Sequence, residues 1–229
     1  MGGVESSAHP AVAIRRAELS YPTPEGELPV LCGIDMEVRH SEILAVMGPS
    51  GSGKTSIIAL IGGLEKATGG EVNVLGHDLR DSTDSELTAL RRNDIGIVFQ
   101  SYHLVPAMTA LQNAALPLIL AGAADAHDRA REMLHNVGLG HRLTHRPASL
   151  SGGEQQRVAI ARAFVSSPRL ILADEPTGNL DQATGGDVAQ AMFKLVRDTG
   201  AAMLIVTHDP GLAALCDRTV VIDAGRIVA

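Results

Sequence analysis

Aromatic residues are nearly missing from this chain. There is no Trp, and two Tyr with three Phe make up 2% of 229 residues. The core must therefore be aliphatic, built from Val, Ile, Leu, Ala and Met. Cysteine is scarce too. Cys32 and Cys216 lie far apart and outside any metal-ligand spacing, so they read as small, reduced core residues. No apolar run approaches the roughly 20 residues that a membrane span needs. Residues 1–11 lack the basic start and apolar stretch of a signal peptide. A chain with neither feature is expected to be cytoplasmic and soluble on its own, with any membrane role supplied by a partner. A basic excess is also absent. The net charge is −7, which argues against nucleic acid as the main partner. No internal repeat occurs at solenoid periods.

What is present is enough apolar material, 45% of residues, for a full core. Residues 1–11 read as a loose terminus and 12–229 as one domain. Strands are expected at Ala13–Leu19 and Ile34–Val38, joined by a Pro/Gly/Glu loop over Pro22–Pro29. Apolar runs predict buried strands at Ile43–Met47, Ile95–Phe99, Arg169–Ala173 and Met203–Val206. Shorter strands are expected at Glu71–Leu75, Arg218–Asp223 and Arg226–Val228. Ile57, Ile58, Ile61 and Leu64 share one face of a helix. Ser82 and Asp84 look like start signals for a helix through Arg92.

From Thr109 the character becomes helical. Leu111, Ala114, Ala115 and Leu118 form one inner face, with Pro117 expected to kink or end that helix. Ala126, Ala130, Met133, Leu134 and Val137 form a second. A further helix over Asp181–Asp198 turns Val188, Ala191, Met192, Leu195 and Val196 inward, and Gly200 stops it. The expected fold is α/β: a mainly parallel sheet, an antiparallel β-rich start, and an inserted helical subdomain at about 101–166.

Three stretches carry chemistry. Gly48-Pro49-Ser50-Gly51-Ser52-Gly53-Lys54-Thr55 matches G-x-x-x-x-G-K-[ST] between a strand and a helix, the context that motif requires. Its N–H groups and the helix N-terminus favour phosphate. Lys54 suits the β- and γ-phosphates, and the Thr55 hydroxyl suits Mg²⁺. Asp174 and Glu175 fall at the carboxyl edge of a parallel strand, where open α/β sheets bind ligands. Asp174 is placed to hold Mg²⁺, and Glu175 to polarise a water. Ser151 and Glu154 form an S-x-x-E capping box, and the N–H groups of Ser151, Gly152 and Gly153 at that helix start favour an anion. Of the remaining histidines, His127, His135, His141 and His145 lie in the helical region without a ligand pattern and read as surface residues.

The chain resembles the nucleotide-binding subunit of an ABC transporter over about Val12–Val228. Leu150–Arg157, LSGGEQQR, matches that family's signature, and the other motifs follow in the family's order. The resemblance implies that Tyr21 stacks on adenine and that Gly48–Thr55, with Ser56, binds the phosphates of ATP. It makes Gln100 the Q-loop glutamine and a metal ligand beside Thr55 and Asp174. Asn179–Asp181 becomes the D-loop, and His208 touches the γ-phosphate and the attacking water. It also implies a head-to-tail dimer in which the signature of one copy, Ser151–Glu154, meets the ATP held by the other.

Gln100–Leu118 (QSYHLVPAMTALQNAALPL) and Asp174–Asp181 (DEPTGNLD) are similar to the lipoprotein-release and macrolide-exporter branch, the LolD/MacB group. The wording around the signature, and LAALCDR at Leu212–Arg218, is similar to its YbbA subgroup. That branch implies an ATPase on the inner face of the cell membrane, driving a separate permease docked near Gln100–Pro106 (Tyr102, His103, Leu104, Pro106), for export or lipid handling. Two other readings are an importer subunit and a soluble ABC protein acting on ribosomes or DNA. Against the last stand a single cassette, only about 50 residues between Gln100 and Ser151, and the acidic balance.

Overall fold

The computed structural model describes residues 9–24 and 26–228. The stretch read as a loose terminus lies mostly outside the described residues. Ala11, however, is fully buried, and its carbonyl accepts a bond from the Leu75 amide, so packed structure starts one residue before the first strand.

Two sheets form the frame. β1 (Val12–Thr23), β2 (Gly26–Val38), β4 (Gly69–Val74) and β5 (His77–Asp78) make an antiparallel sheet in the order β2-β1-β4-β5. β3 (Ile43–Met47), β6 (Ile95–Phe99), β7 (Leu170–Asp174), β8 (Ala202–Val206), β9 (Arg218–Asp223) and β10 (Arg226–Ile227) make the second, ordered β10-β9-β3-β8-β7-β6. All its pairings are parallel except that of β10 with β9.

The alternating pleat divides the interior in two. Ile43, Ala45, Ile171, Ala173, Met203 and Ile205 face the helical side, against α3 (Ala110–Leu120), α4 (Ala126–Asn136), α5 (Gly152–Phe164) and α6 (Gln182–Thr199). Leu44, Val46, Leu170, Leu172, Leu204 and Val206 face the other side, against α1 (Lys54–Ile61), α2 (Asp84–Asn93) and the antiparallel sheet. Because both faces are covered, these strands read as unbroken apolar runs. α5 lies so close to β6 that a Cβ on Gly96 would overlap the Ala163 carbonyl.

Several local expectations need correction. The loop expected at Pro22–Pro29 is mostly strand. Pro29, on β2, pairs with Ser20 of β1 at the sheet edge and beside a register shift, where a missing N–H leaves no inner ladder unpaired. α2 is capped by Thr83, not Ser82 or Asp84, through a reciprocal box with Glu86. Pro117 does not end α3, which runs three residues further. The buried faces of Ala114, Ala115 and Leu118 carry the helix past it, since packing outweighs local propensity. Ala191 and Met133 are half-buried, whereas Ala189 and Phe193 complete the inner face of α6. His145 is not a surface residue. It is half-buried, with Nε2 3.2 Å from the Arg142 guanidinium and Nδ1 enclosed without a partner.

Candidate nucleotide site

The 48–53 loop joins the carboxyl end of β3 to the start of α1. Its glycines are dictated by space. A Cβ on Gly48 would overlap the Ile222 carbonyl, and one on Gly53, at φ 103°, would lie 2.7 Å from Leu31 Cδ2. The loop is thus wedged against β9 and β2, and its backbone shape is fixed by neighbours. Lys54, in the first turn of α1 and 7% exposed, curls back so that Nζ donates to the carbonyls of Gly48 and Pro49, each at 2.8 Å. A cation at a helix N-terminus beside a row of backbone amides makes a seat for anions.

Thr55 points out of that seat toward the end of β7, where its hydroxyl donates to Asp174 Oδ1 at 3.3 Å. Burial pushes the Asp174 carboxyl above the ordinary aspartate range, against the pull of that hydrogen bond. The neighbouring Glu175 adds to the rise, and Lys54 opposes it. A partly buried carboxylate beside a hydroxyl is a hard-oxygen pair of the kind that suits Mg²⁺, which keeps most of its waters and takes few protein ligands. The residues present therefore fit the ion.

This raised pKa has a consequence for stability. The folded chain holds the Asp174 proton more tightly than the unfolded chain does. The charged form thus destabilises the fold at neutral pH, and the penalty vanishes as pH falls through the raised folded value toward the unfolded one. Asp174→Asn is expected to raise the unfolding midpoint of the nucleotide-free protein at pH 7.5 by a few degrees at most, with the gain shrinking at pH 4. A thermal melt at both pH values checks it.

Glu175 follows directly and sits at φ 43°, in the left-handed region. Its amide donates to the Val206 carbonyl at 2.9 Å, and its own carbonyl accepts from Gly178 at 3.0 Å. Its Oε2 lies 3.1 Å from His208 Nδ1, on the loop after β8. Gln100, just past β6, is tied reciprocally to the turn after β7. Its Nε2 donates to Asn179 Oδ1 and its carbonyl accepts from Asn179 Nδ2, both at 3.0 Å. Among the described residues no hydrogen bond joins Gln100 to Thr55 or Asp174. Three parallel strands thus deliver Asp174–Glu175, His208 and Gln100 to one edge of the sheet.

Ser151–Glu154 stands apart. Ser151 Oγ accepts from the Glu154 amide at 3.2 Å, and Glu154 Oε2 accepts from the Ser151 amide at 2.8 Å. Arg142 fixes the box from outside, donating through Nε to Glu154 Oε1 at 2.8 Å. The Ser151 amide holds the Glu154 carboxyl below its ordinary range, with Arg142 helping. No hydrogen bond or ion pair among the described residues joins this helix start to residues 48–56. Tyr21, half-buried near the end of β1, packs on the cluster beneath the antiparallel sheet.

Three residues of the region carry no local sequence signal. Arg142 is one. Arg162 is another: its guanidinium donates to the carbonyls of His103 (2.6 Å) and Tyr102 (2.8 Å), whose backbones are both left-handed. Gln156 is the third, fully buried on α5, with Nε2 2.6 Å from the Pro176 carbonyl. Cys216 has no part in this site. Burial lifts its thiol to about 11, so it is inert at neutral pH.

A glycine-rich anion seat, a hydroxyl–carboxylate pair and a glutamate–histidine pair at the end of a parallel sheet define a P-loop ATPase cassette. The family model described as ABC transporter matches residues 31–178. The "Lipoprotein-releasing system ATP-binding protein LolD 2" of Caulobacter vibrioides is 47% identical over 220 residues, 95% of this chain and 96% of the relative. The "Uncharacterized ABC transporter ATP-binding protein YbbA" of Escherichia coli is 43% identical over 218 residues, 94% of this chain and 96% of the relative. The dimeric structure of MJ0796, a bacterial ABC transporter cassette, superposes with a TM-score of 0.88 at 38% identity, covering 95% of this chain and 97% of that one. A dimeric structure of the same cassette in a post-hydrolysis state holds ADP and Pi.

The chain belongs to the ABC transporter family, as an ATP-binding and ATP-hydrolysing subunit. No described helix is long and apolar enough to cross a membrane.

Proposed function

We propose that this subunit binds Mg²⁺-ATP as a head-to-tail dimer with a second copy and drives a separate permease of the lipoprotein-release type from the inner face of the cell membrane. The observation that carries the catalytic part is the Glu175–His208 pair at 3.1 Å, one residue along from the Thr55–Asp174 pair. The loop amides of 48–53, with Lys54 and Ser56, hold the phosphates, and Tyr21 stacks on the base. Thr55, Asp174 and Gln100 hold the ion, which supplies charge for the developing phosphate oxygens. Glu175 accepts a proton from the attacking water, and His208 orients the carboxylate and contacts the γ-phosphate. Ser151, Gly152, Gly153 and Glu154 make no hydrogen bond or ion pair to their own loop among the described residues, and they are assigned to present their helix N-terminus to the partner's ATP. The relative named above as lipoprotein-releasing supports the transport class.

Permease docking is assigned to Gln100–Pro106 and the groove beside it. Leu116, Pro117 and Leu120 of α3 line an apolar hollow of about 610 Å³ with Ile97 and Arg162. Leu120 is 70% exposed. Arg162 thus both lines the hollow and holds the Tyr102–His103 turn. The test is a tagged Glu175→Gln chain extracted from membranes with ATP. A permease of that type should co-purify, and Tyr102→Asp/Leu104→Asp should reduce its recovery at least about tenfold, the loss of about 1.4 kcal/mol or more at a docking core, with ATP binding intact. Recovery of ribosomes, or unaltered permease recovery by the double variant, would refute the assignment.

A further inference from the structure

Gln156 is 0% exposed in the middle of α5, the helix that starts at the signature. Its Nε2 donates to the Pro176 carbonyl at 2.6 Å and approaches the Phe99 carbonyl at 3.4 Å. Its Oε1 is enclosed without a partner. Two carbonyls facing one end of the side chain fix the amide orientation, because the flipped amide would set oxygen against oxygen. A buried polar side chain with one end unpaired is costly to enclose, and the bond its other end makes, to the Pro176 carbonyl, is what offsets that cost.

The bond that Gln156 does make lands on a strained place. Glu175 occupies the left-handed region at φ 43° and precedes a proline, a position that disfavours helical backbone. Such a conformation persists only where its surroundings over-determine it. The Val206 carbonyl holds the Glu175 amide, and the Gly178 amide holds the Glu175 carbonyl. The third tether is Gln156, on the carbonyl of the very next residue. Phe99, the other carbonyl within reach, immediately precedes Gln100, whose side chain is bound to Asn179 in the same turn.

We propose that Gln156 is a positioning residue: it fixes the Glu175–Pro176 turn from the signature helix, so that displacement of that helix start moves the carboxylate at the subunit's own ATP. This rests on the proposed role of Glu175 as proton acceptor. Gln156 is fully enclosed, and its effect runs wholly through the backbone of the turn.

The experiment compares purified wild type with Gln156→Met, which keeps the length and removes the donor, Gln156→Asn, which keeps the amide but shortens its reach, and Glu175→Gln. Steady-state ATP hydrolysis with Mg²⁺ and thermal unfolding are measured on each. Loss of one buried neutral hydrogen bond to the catalytic turn should lower kcat about 5- to 10-fold in both Gln156 variants. KM for ATP should stay within about twofold, because the phosphate loop is untouched, and both variants should unfold within a few degrees of wild type. Wild-type kcat in Gln156→Met beside an inactive Glu175→Gln would overturn this inference alone. Normal turnover in Glu175→Gln would overturn the catalytic reading beneath it as well. Failure of both Gln156 variants to fold, or a matching rise in KM with kcat unchanged, would make Gln156 a structural residue and equally overturn the proposal.

Discussion

Lys54→Ala is expected to cut ATP hydrolysis by at least about a hundredfold, as loss of one preorganised charge at a transferring phosphoryl group does. The structure gives the reason for so large an effect from one side chain. Lys54 is held at the first turn of α1, and its hydrogen-bond partners among the described residues are the Gly48 and Pro49 carbonyls of the loop itself. No ion pair engages it among the described residues, and Asp174 acts on it only at a distance, so its charge is available to a phosphate. The same geometry predicts that the fold survives, because the side chain ties together only neighbours of its own loop. Phosphate release assayed beside a thermal melt distinguishes the two effects. Turnover within threefold of wild type would remove Lys54 from the site.

Glu175→Gln should lose a comparable share of turnover, about 10²–10⁴-fold, the range expected for general-base catalysis, while ATP is still bound. The amide keeps the shape of the carboxylate and can still meet His208, but it cannot accept the water's proton. ATP that is bound and not consumed should then hold two copies together. A dimer on size exclusion in the presence of Mg²⁺-ATP, absent with ADP, is the expected result. A monomer that hydrolyses normally is the contrary one. The contrast with Lys54→Ala is informative, since the lysine variant should neither hydrolyse nor dimerise with ATP.

Much of this site was legible in the residues. The phosphate loop announces itself because its glycines, its lysine and its hydroxyl must be consecutive to fold round an anion. Asp174 and Glu175 were legible because a parallel strand buried on both faces is an unbroken apolar run, and its end is the first place a charge can stand. The boxes at Ser151–Glu154 and Thr109–Gln112 are local, three residues apart, and were open to the same reading in the first case. What escaped is long-range. Gln156 and Arg162 are polar residues on a helix whose partners lie 20 and about 60 residues away, so nothing near them in sequence marks their targets. The left-handed backbones of Tyr102, His103 and Glu175 escaped for another reason: none is Gly or Asn, so no residue type signals the turn. The corrections at Pro29 and Pro117 share a cause. Each proline was read as a break, and each sits where its missing N–H costs little or where packing outweighs the loss.

The fold also separates what the sequence runs together. Within Leu150–Asp181, Asp174 is bonded to Thr55 beside the subunit's own phosphate loop, with Glu175 next to it, while Ser151 caps a helix with no bond to that loop. The central claim, that each ATP is completed by two copies, is tested most directly by mixing two inactive chains. One carries Lys54→Ala and lacks the charge of the phosphate loop. The other carries Gly152→Asp, which keeps a good helix start and sets a negative charge where the γ-phosphate would meet it. Shared sites predict that an equal mixture is more active than either chain alone and recovers at most about a quarter of the wild-type rate, the value for random pairing, in which half the pairs are mixed and each of those has one intact site of two. A mixture no more active than its two components measured separately would contradict it.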